Sequence, residues 1–323
     1  MDAKAPKTLQ QAIVFFANYE NCKRAMIALR WPDGTVRCPT CGADRVIYLE
    51  KARVWKCYEG HAKAKFSLKV GTIFEDSPIA LEKWFPALWL LVNCKNGISS
   101  YELARALGVT QKTAWFMLSR LRLALQDRST GGKLRGHVEA DETYIGGKAR
   151  FMHADKRKRL QVKRGRSIAG KVAVMGLLQR HTAGEISKVR IVVLDGLRRG
   201  KVQGHVREIV ETGSNVYTDA FSSYAGLSNT YQHQVIDHAE TYVKGNVHTN
   251  SMENFWSLLK RAIKGTYVSI EPFHLFRYLD EQASRFNWRD KTDSGRFAAA
   301  LAGIVNRRLT YKALTGSELP QTC

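Results

Sequence analysis

Two sets of residues in this chain have the types and spacings that chemistry requires. Asp141 lies inside a strand-like run, VEADETYIGG; Asp219 closes another, VYTDAFSSY; Glu253 falls in a helical stretch, VHTNSMENFWSLLKRAIKG. Carboxylates inside or at the ends of strands are costly unless they are paired or bind metal. Two strand acids and a helical one suit a pair of divalent ions about 3.5–4 Å apart, which can clamp both the attacking and the leaving oxygen of a phosphodiester. Magnesium or manganese fits, because magnesium takes one or two carboxylates and keeps water and substrate phosphate as its other ligands. The second set is Cys38 and Cys41 in CPTCG, followed by Cys57 and His61 in CYEGH. Two thiolates in a knuckle, then a thiolate and an imidazole, match the spacing of a tetrahedral zinc ribbon. Four protein ligands leave no open position, so that Zn2+ is structural; Cys-x3-His in place of Cys-x2-Cys makes His61 the unusual member. Cys22, Cys94 and Cys323 have no partner spacing and read as ordinary thiols.

The elements that carry these residues follow from periodicity. In the stretch around Glu253, Phe255, Leu258, Leu259, Ala262 and Ile263 form one helical stripe, the expected core face. Glu253 and Lys260 share the opposite side, about 10 Å apart along the axis. Glu139 lies on the same face of its strand as Asp141 and is a lesser candidate; Glu142 points the other way and reads as a structural acid. Asp195 reads as a turn residue. Asp237, His238 and His248 are expected near the site, and Trp256 as packing or a base-stacking contact.

Composition narrows the partner. The 323 residues include 51 Lys and Arg against 29 Asp and Glu, a net charge of +22. Such an excess favours a polyanion, because each cation that neutralises a phosphate releases a condensed counterion. A hydrophobic content of 44% indicates a globular chain long enough for two or three domains. The longest apolar patch, FPALWLLV at 85–92, is too short to span a bilayer, and the N-terminus lacks the apolar core of a signal peptide. A cytoplasmic, nucleoid-associated protein without disulfides is the expectation.

Five segments separate. Residues 1–30 read as an N-terminal helical segment, 31–70 as the zinc ribbon, 71–128 as helical with Pro86 at a start or kink, 129–135 as a linker, and 136–312 as an α/β layer domain. Within the helical region, Ser99-x-x-Glu102 signs a capping box, Gly108 breaks the helix, and Thr110 is placed to cap the next one. That second helix buries Ala114, Leu118, Leu121 and Leu125. Gln111, Lys112, Trp115, Ser119 and Arg122 lie away from the stripe, so the pair reads as a helix-turn-helix with Gln111, Lys112, Trp115 and Arg122 directed at DNA. The basic run DKRKRLQVKRGR at 155–166, with Lys156, Arg157, Lys158 and Arg159, is a further expected DNA contact.

The runs VEADETYIGGK, VYTDAFSSY, HQVIDHAETYVKGNVHTNSMENFWSLLKR and YLDEQASRFNWR resemble insertion-sequence transposases of the ISXO type. So does the front half, through CPTCG, FSLKVGTIFEDSPIALEKWFPALWLL and GISSYELARALGVTQKTAWFMLSRLR. The resemblance implies an RNase H-like catalytic domain with a DDE triad, preceded by a zinc ribbon and a helix-turn-helix. It makes Asp141, Asp219 and Glu253 the ligands of two Mg2+ or Mn2+ ions, and Lys260 the base that holds DNA near the cut. The implied partners are double-stranded DNA, as terminal inverted repeats and as target, and further copies of the chain in a homo-oligomer on that DNA. Two alternatives are a DNA-binding regulator with an inactive RNase H-like domain and a general RNase H-like nuclease.

Overall fold

The computed structural model describes residues 5–126, 132–146, 154–159, 170–236 and 248–316; the side chains of Lys156, Arg157 and Arg159 also lie outside the described residues. The chain forms two compact units, one from residues 1–126 and 290–323, the other from 127–289.

The first unit opens with α1 (Leu9–Ala17) and α2 (Tyr19–Arg30), split at Asn18, whose side chain accepts the Glu20 N–H and starts the second helix. A three-stranded antiparallel sheet follows: β1 (Val46–Leu49), β2 (Val54–Cys57) and β3 (Lys65–Phe66). Helix α3 (Leu81–Asn93) is buried on nearly every side and begins before Pro86, which lies inside it rather than at its start. Proline has no N–H, so the helix forgoes the bond that position 86 would otherwise donate. Helix α4 (Ser100–Leu107) has the expected capping box: Glu102 N–H donates to Ser99 Oγ at 3.2 Å and Ser99 N–H to Glu102 Oε2 at 2.8 Å. Gly108, at φ +60°, ends it in the left-handed region that glycine tolerates, and Thr110 caps α5 (Gln111–Leu125).

The C-terminal arm belongs to this unit. Helix α10 (Asp293–Ala302) sets Phe297 against Phe16 and Trp89, with ring centres 5.1 and 5.5 Å apart. Arg307 then donates to the Leu123 and Gln126 carbonyls at the end of α5. The segment expected to run from 136 to 312 therefore ends near Arg289. A second correction concerns α5: Arg122 is 1% exposed and Ser119 is buried, so neither is available to DNA. The arm and α3 pack around α5, which is buried all round from Met117 to Leu125; the stripe alone did not reveal that.

In the second unit a five-stranded sheet runs in the order β6-β5-β4-β7-β8, formed by β4 (His137–Ile145), β5 (Val172–Gln179), β6 (Lys188–Leu194), β7 (Asn215–Asp219) and β8 (Gln232–Ile236). The first three strands are antiparallel hairpin neighbours; β7 and β8 run parallel to β4. Helix α7 (Arg199–Ile209) covers one face, burying Val202 and Val206 on Val138, Ala140 and Val216. Helices α8 (Asn250–Ala262) and α9 (Leu275–Asn287) cover the other, where Met252, Phe255, Trp256 and Leu259 meet Val174 and Leu178. Short helix α6 (Ala154–Arg159) carries the described part of the basic run, with Lys158 exposed. No helix among the described residues is long and apolar enough to cross a membrane.

The core face of α8 is rotated from the expected stripe. Met252 and Trp256 are buried while Leu258 is 43% exposed. Gly176 on β5 explains why: a Cβ there would come within 2.4 Å of Met252 Cε and 2.7 Å of Trp256 Cζ2. The missing side chain lets α8 lie close on the sheet. Gly176→Val is therefore expected to cost about 1–3 kcal/mol by overpacking, read as a lower denaturant midpoint; an unchanged midpoint would show that α8 does not press on this strand.

Candidate active site

Strands β4 and β7 bring the two strand acids together. Their register pairs His137 with Asn215, Val138 with Val216 and Glu139 with Tyr217. Two residues beyond the last pair, each strand reaches its acid, Asp141 and Asp219. Strand alternation puts both on the face that α8 covers. Helix α8 supplies Glu253 in its first turn and Lys260 in its last. Asp141, Glu142, Thr143, Glu253, Trp256, Ser257, Lys260, Arg261 and Lys264 line one cleft of about 550 Å3. Asp219 stands beside this group, half-buried at the end of β7, with Oδ1 accepting the Phe221 N–H at 3.1 Å.

The electrostatics of the cleft are those of crowded acids. Burial comes first, then the charge of Asp219 and, more weakly, that of Glu253; together they push the Asp141 carboxyl up to about 6. Its hydrogen bonds work in the other direction: Glu142 N–H donates to Oδ1 at 2.8 Å and Trp256 Nε1 to Oδ2 at 2.9 Å. Both donors are neutral, and neither Asp141 nor Asp219 forms an ion pair among the described residues. A polyvalent cation would relieve that repulsion, and oxygen donors are the hard ligands that magnesium and manganese take. The donor chemistry fits.

Glu142 also reaches the cleft, although it points to the α7 face. It accepts the Tyr224 hydroxyl, and burial followed by the charges of Asp219 and Asp141 pushes it up to about 7. Glu139, a lesser candidate, is fully buried and turned into the protein, where Arg180 Nε meets Oε1 at 2.7 Å. His248 Nδ1 lies 3.4 Å from the same Oε1. Asp195 is exposed and paired with Lys201 Nζ at 2.5 Å, a surface turn contact. Asp237 and His238 lie outside the described residues. Trp256 is a packing residue that also orients Asp141. Arg180, Tyr224 and Gly176 carry no motif signal; only a buried acid two residues before Asp141 hinted that a cation was needed nearby.

The cysteine set is gathered as its spacing predicts. The donor atoms of Cys38, Cys41, Cys57 and His61 lie within 4.8 Å of one another, with Cys38 Sγ 3.3 Å from His61 Nε2 and Cys41 Sγ 3.7 Å from Cys57 Sγ. Burial pushes the Cys38 thiol up, but the Cys41 and Thr40 N–H groups and its Cys41 and His61 neighbours outweigh it and leave the thiol at about 6. A thiol that ionises readily is ready to bind metal.

Comparison with known proteins places the chain in a family. Residues 133–287 match the ISXO2-like transposase domain, and residues 17–62 match the transposase zinc-ribbon domain. An "uncharacterized transposase-like protein" of Haemophilus influenzae is 33% identical over 101 residues, covering 31% of this chain and 81% of that protein. The chain belongs to the ISXO2-like insertion-sequence transposases. An "uncharacterized protein in transposable element ISH50" of Halobacterium salinarum is 28% identical over 254 residues, 76% of this chain and 83% of that one. The transposase domain spans Asp141, Asp219, Glu253 and Lys260. The zinc-ribbon match spans all four cysteine and histidine ligands, which supports a structural Zn2+ in this transposase.

Proposed function

We propose that this transposase binds the terminal inverted repeats of its insertion sequence and catalyses metal-dependent DNA cleavage and strand transfer. The observation that carries this reading is the convergence of Asp141 and Asp219, level on neighbouring parallel strands, with Glu253 delivered to the same face by α8. The strand order, three antiparallel strands followed by two parallel ones with the first acid central, supports an RNase H-like domain. The three carboxylates would hold two Mg2+ or Mn2+ ions. Bound divalent cations lower the pKa of water and neutralise charge developing on a phosphodiester in line for displacement. Trp256 Nε1 and Glu142 N–H fix the orientation of Asp141. Lys260, with Arg261 and Lys264 along the same cleft, would hold the DNA phosphates beside the acids. The same site, first cutting to free a 3′-OH and then admitting that hydroxyl as nucleophile, needs no covalent enzyme intermediate.

For recognition, α4, the Gly108 turn and α5 are proposed as the helix-turn-helix. Lys112 is exposed at the start of α5, over the Tyr311 ring at 5.4 Å; Trp115 is half-buried; Gln111 bonds Ser100 Oγ at 2.8 Å and helps hold the two helices together. Lys158 and the run around it are proposed as phosphate contacts. Because two element ends must be joined, a homo-oligomer on DNA is part of the reading.

Incubation with labelled DNA carrying the element's ends and a target plasmid, with Mg2+ or Mn2+, tests it. Cleavage followed by joining of the 3′ ends is the expected result. Binding without any cleavage would leave an inactive DNA-binding regulator, and cleavage that ignores the repeats and never joins would leave a general nuclease.

A further inference from the structure

Beneath the cleft lies a buried charged cluster that ends on the backbone of α8. Glu139 is fully buried on β4, two residues before Asp141 and on the same face. Its Oε1 accepts from Arg180 Nε at 2.7 Å, and its Oε2 accepts the Met252 N–H at 2.9 Å. Met252 sits in the first turn of α8, where N–H groups have no intrahelical acceptor, and the N-cap residue Thr249 makes no side-chain cap. Glu139 is therefore a cap supplied from a neighbouring strand. Arg180 extends the brace: it donates to the His248 carbonyl at 2.7 Å and lies over the Tyr217 ring at 4.3 Å, while Tyr217 Oη and His137 Nδ1 are 2.7 Å apart.

We propose that Glu139 and Arg180 are positioning residues for the reaction, a buried strut that fixes Glu253 relative to Asp141. This rests on the reading of the three acids as a metal site. One carboxylate joins the two sides: it lies two residues from Asp141 along β4 and grips the residue immediately before Glu253. Both of its oxygens are occupied, so it is not itself placed to ligate an ion. Burial alone does not call for charge here, since apolar residues of similar volume often replace a buried ion pair without loss of stability. Geometry does, because magnesium demands near-ideal octahedral placement of its ligands.

The test uses the full chain with Mn2+ as probe. Free Mn2+ measured by electron paramagnetic resonance gives the affinity, thermal unfolding gives stability, and Glu253→Gln identifies binding at this cleft. In the double variant Glu139→Met/Arg180→Met, Mn2+ affinity is expected to fall by roughly 10–100-fold, the scale on which residues behind metal ligands act, while the melting midpoint falls only as far as the loss of one helix cap brings, because the Met252 N–H loses its acceptor. Parent-like Mn2+ affinity in the folded double variant would overturn the strut. Should the double variant not fold, Glu139→Gln serves in its place: it keeps the size but cannot satisfy both donors, and the same weakening is expected, with parent-like affinity again overturning the proposal. If the parent itself binds no Mn2+ that Glu253→Gln removes, the metal reading fails and the strut fails with it, an outcome distinct from the loss of the strut alone.

Discussion

Asp219→Asn is expected to lower cleavage of repeat-end DNA by on the order of 10³-fold or more, with end binding close to the parent's. The asparagine oxygen can still accept the Phe221 N–H, so the turn after β7 keeps its shape. What disappears is one negative charge beside Asp141. A group whose interaction is made only as charge develops on the phosphate shows its full effect in the rate and little in ground-state binding. The same substitution carries an opposite expectation for stability. Asp219 raises the Asp141 pKa, so at neutral pH the two carboxylates repel each other in the folded protein. Removing one relieves that repulsion, and without added Mg2+ or Mn2+ the variant should melt no lower than the parent. Gel-based cleavage, a filter-binding titration and a melting curve check the three parts; cleavage retained at the parent rate would take Asp219 out of the mechanism.

Loss of zinc is expected to have the other large effect, and in the first unit alone. The ribbon's sheet has strands of four, four and two residues around Trp55 and Phe66, too little apolar burial to hold a fold unaided. A structural Zn2+ in a small domain contributes an apparent ~10–16 kcal/mol of binding energy to folding. Cys41→Ser, or removal of zinc with a strong chelator, should therefore unfold residues 31–70, make them sensitive to protease and strongly weaken end binding. The five-stranded sheet has its own core on both faces and should keep its denaturant midpoint. Zinc content by atomic spectroscopy, limited proteolysis and end binding are the measurements. A variant that holds no zinc and yet binds the repeats as tightly as the parent would show that the ribbon does not support recognition.

Much of the candidate site is legible in the chain because its determinants are local. The cysteine knuckle, the Ser99–Glu102 box and the Gly108 break each depend on residues within a few positions of one another, and each forms as the spacing predicts. The acids could be assigned to strand, strand end and helix for the same reason: period-two and period-3.6 patterns identify an element without reference to its neighbours. An amphipathic pattern says that a helix has a buried face, however, and not what closes over the rest of it. Arg122 reads as outward by period, yet it is buried in a helix on which α3, α4 and the C-terminal arm all pack.

By itself the sequence determined the cysteine–histidine cluster, the elements that carry Asp141, Asp219 and Glu253, and a strongly cationic chain suited to a polyanion. Only the tertiary structure decided that residues 290–316 pack with the first unit, that α8 turns Met252 and Trp256 rather than Leu258 inward, and that Glu139 is a cap for another element. The division has a physical cause. Metal-ligand spacing and capping close over a few bonds, whereas a bare Gly176, an arginine between two elements and a returning arm act across distances that no local pattern encodes.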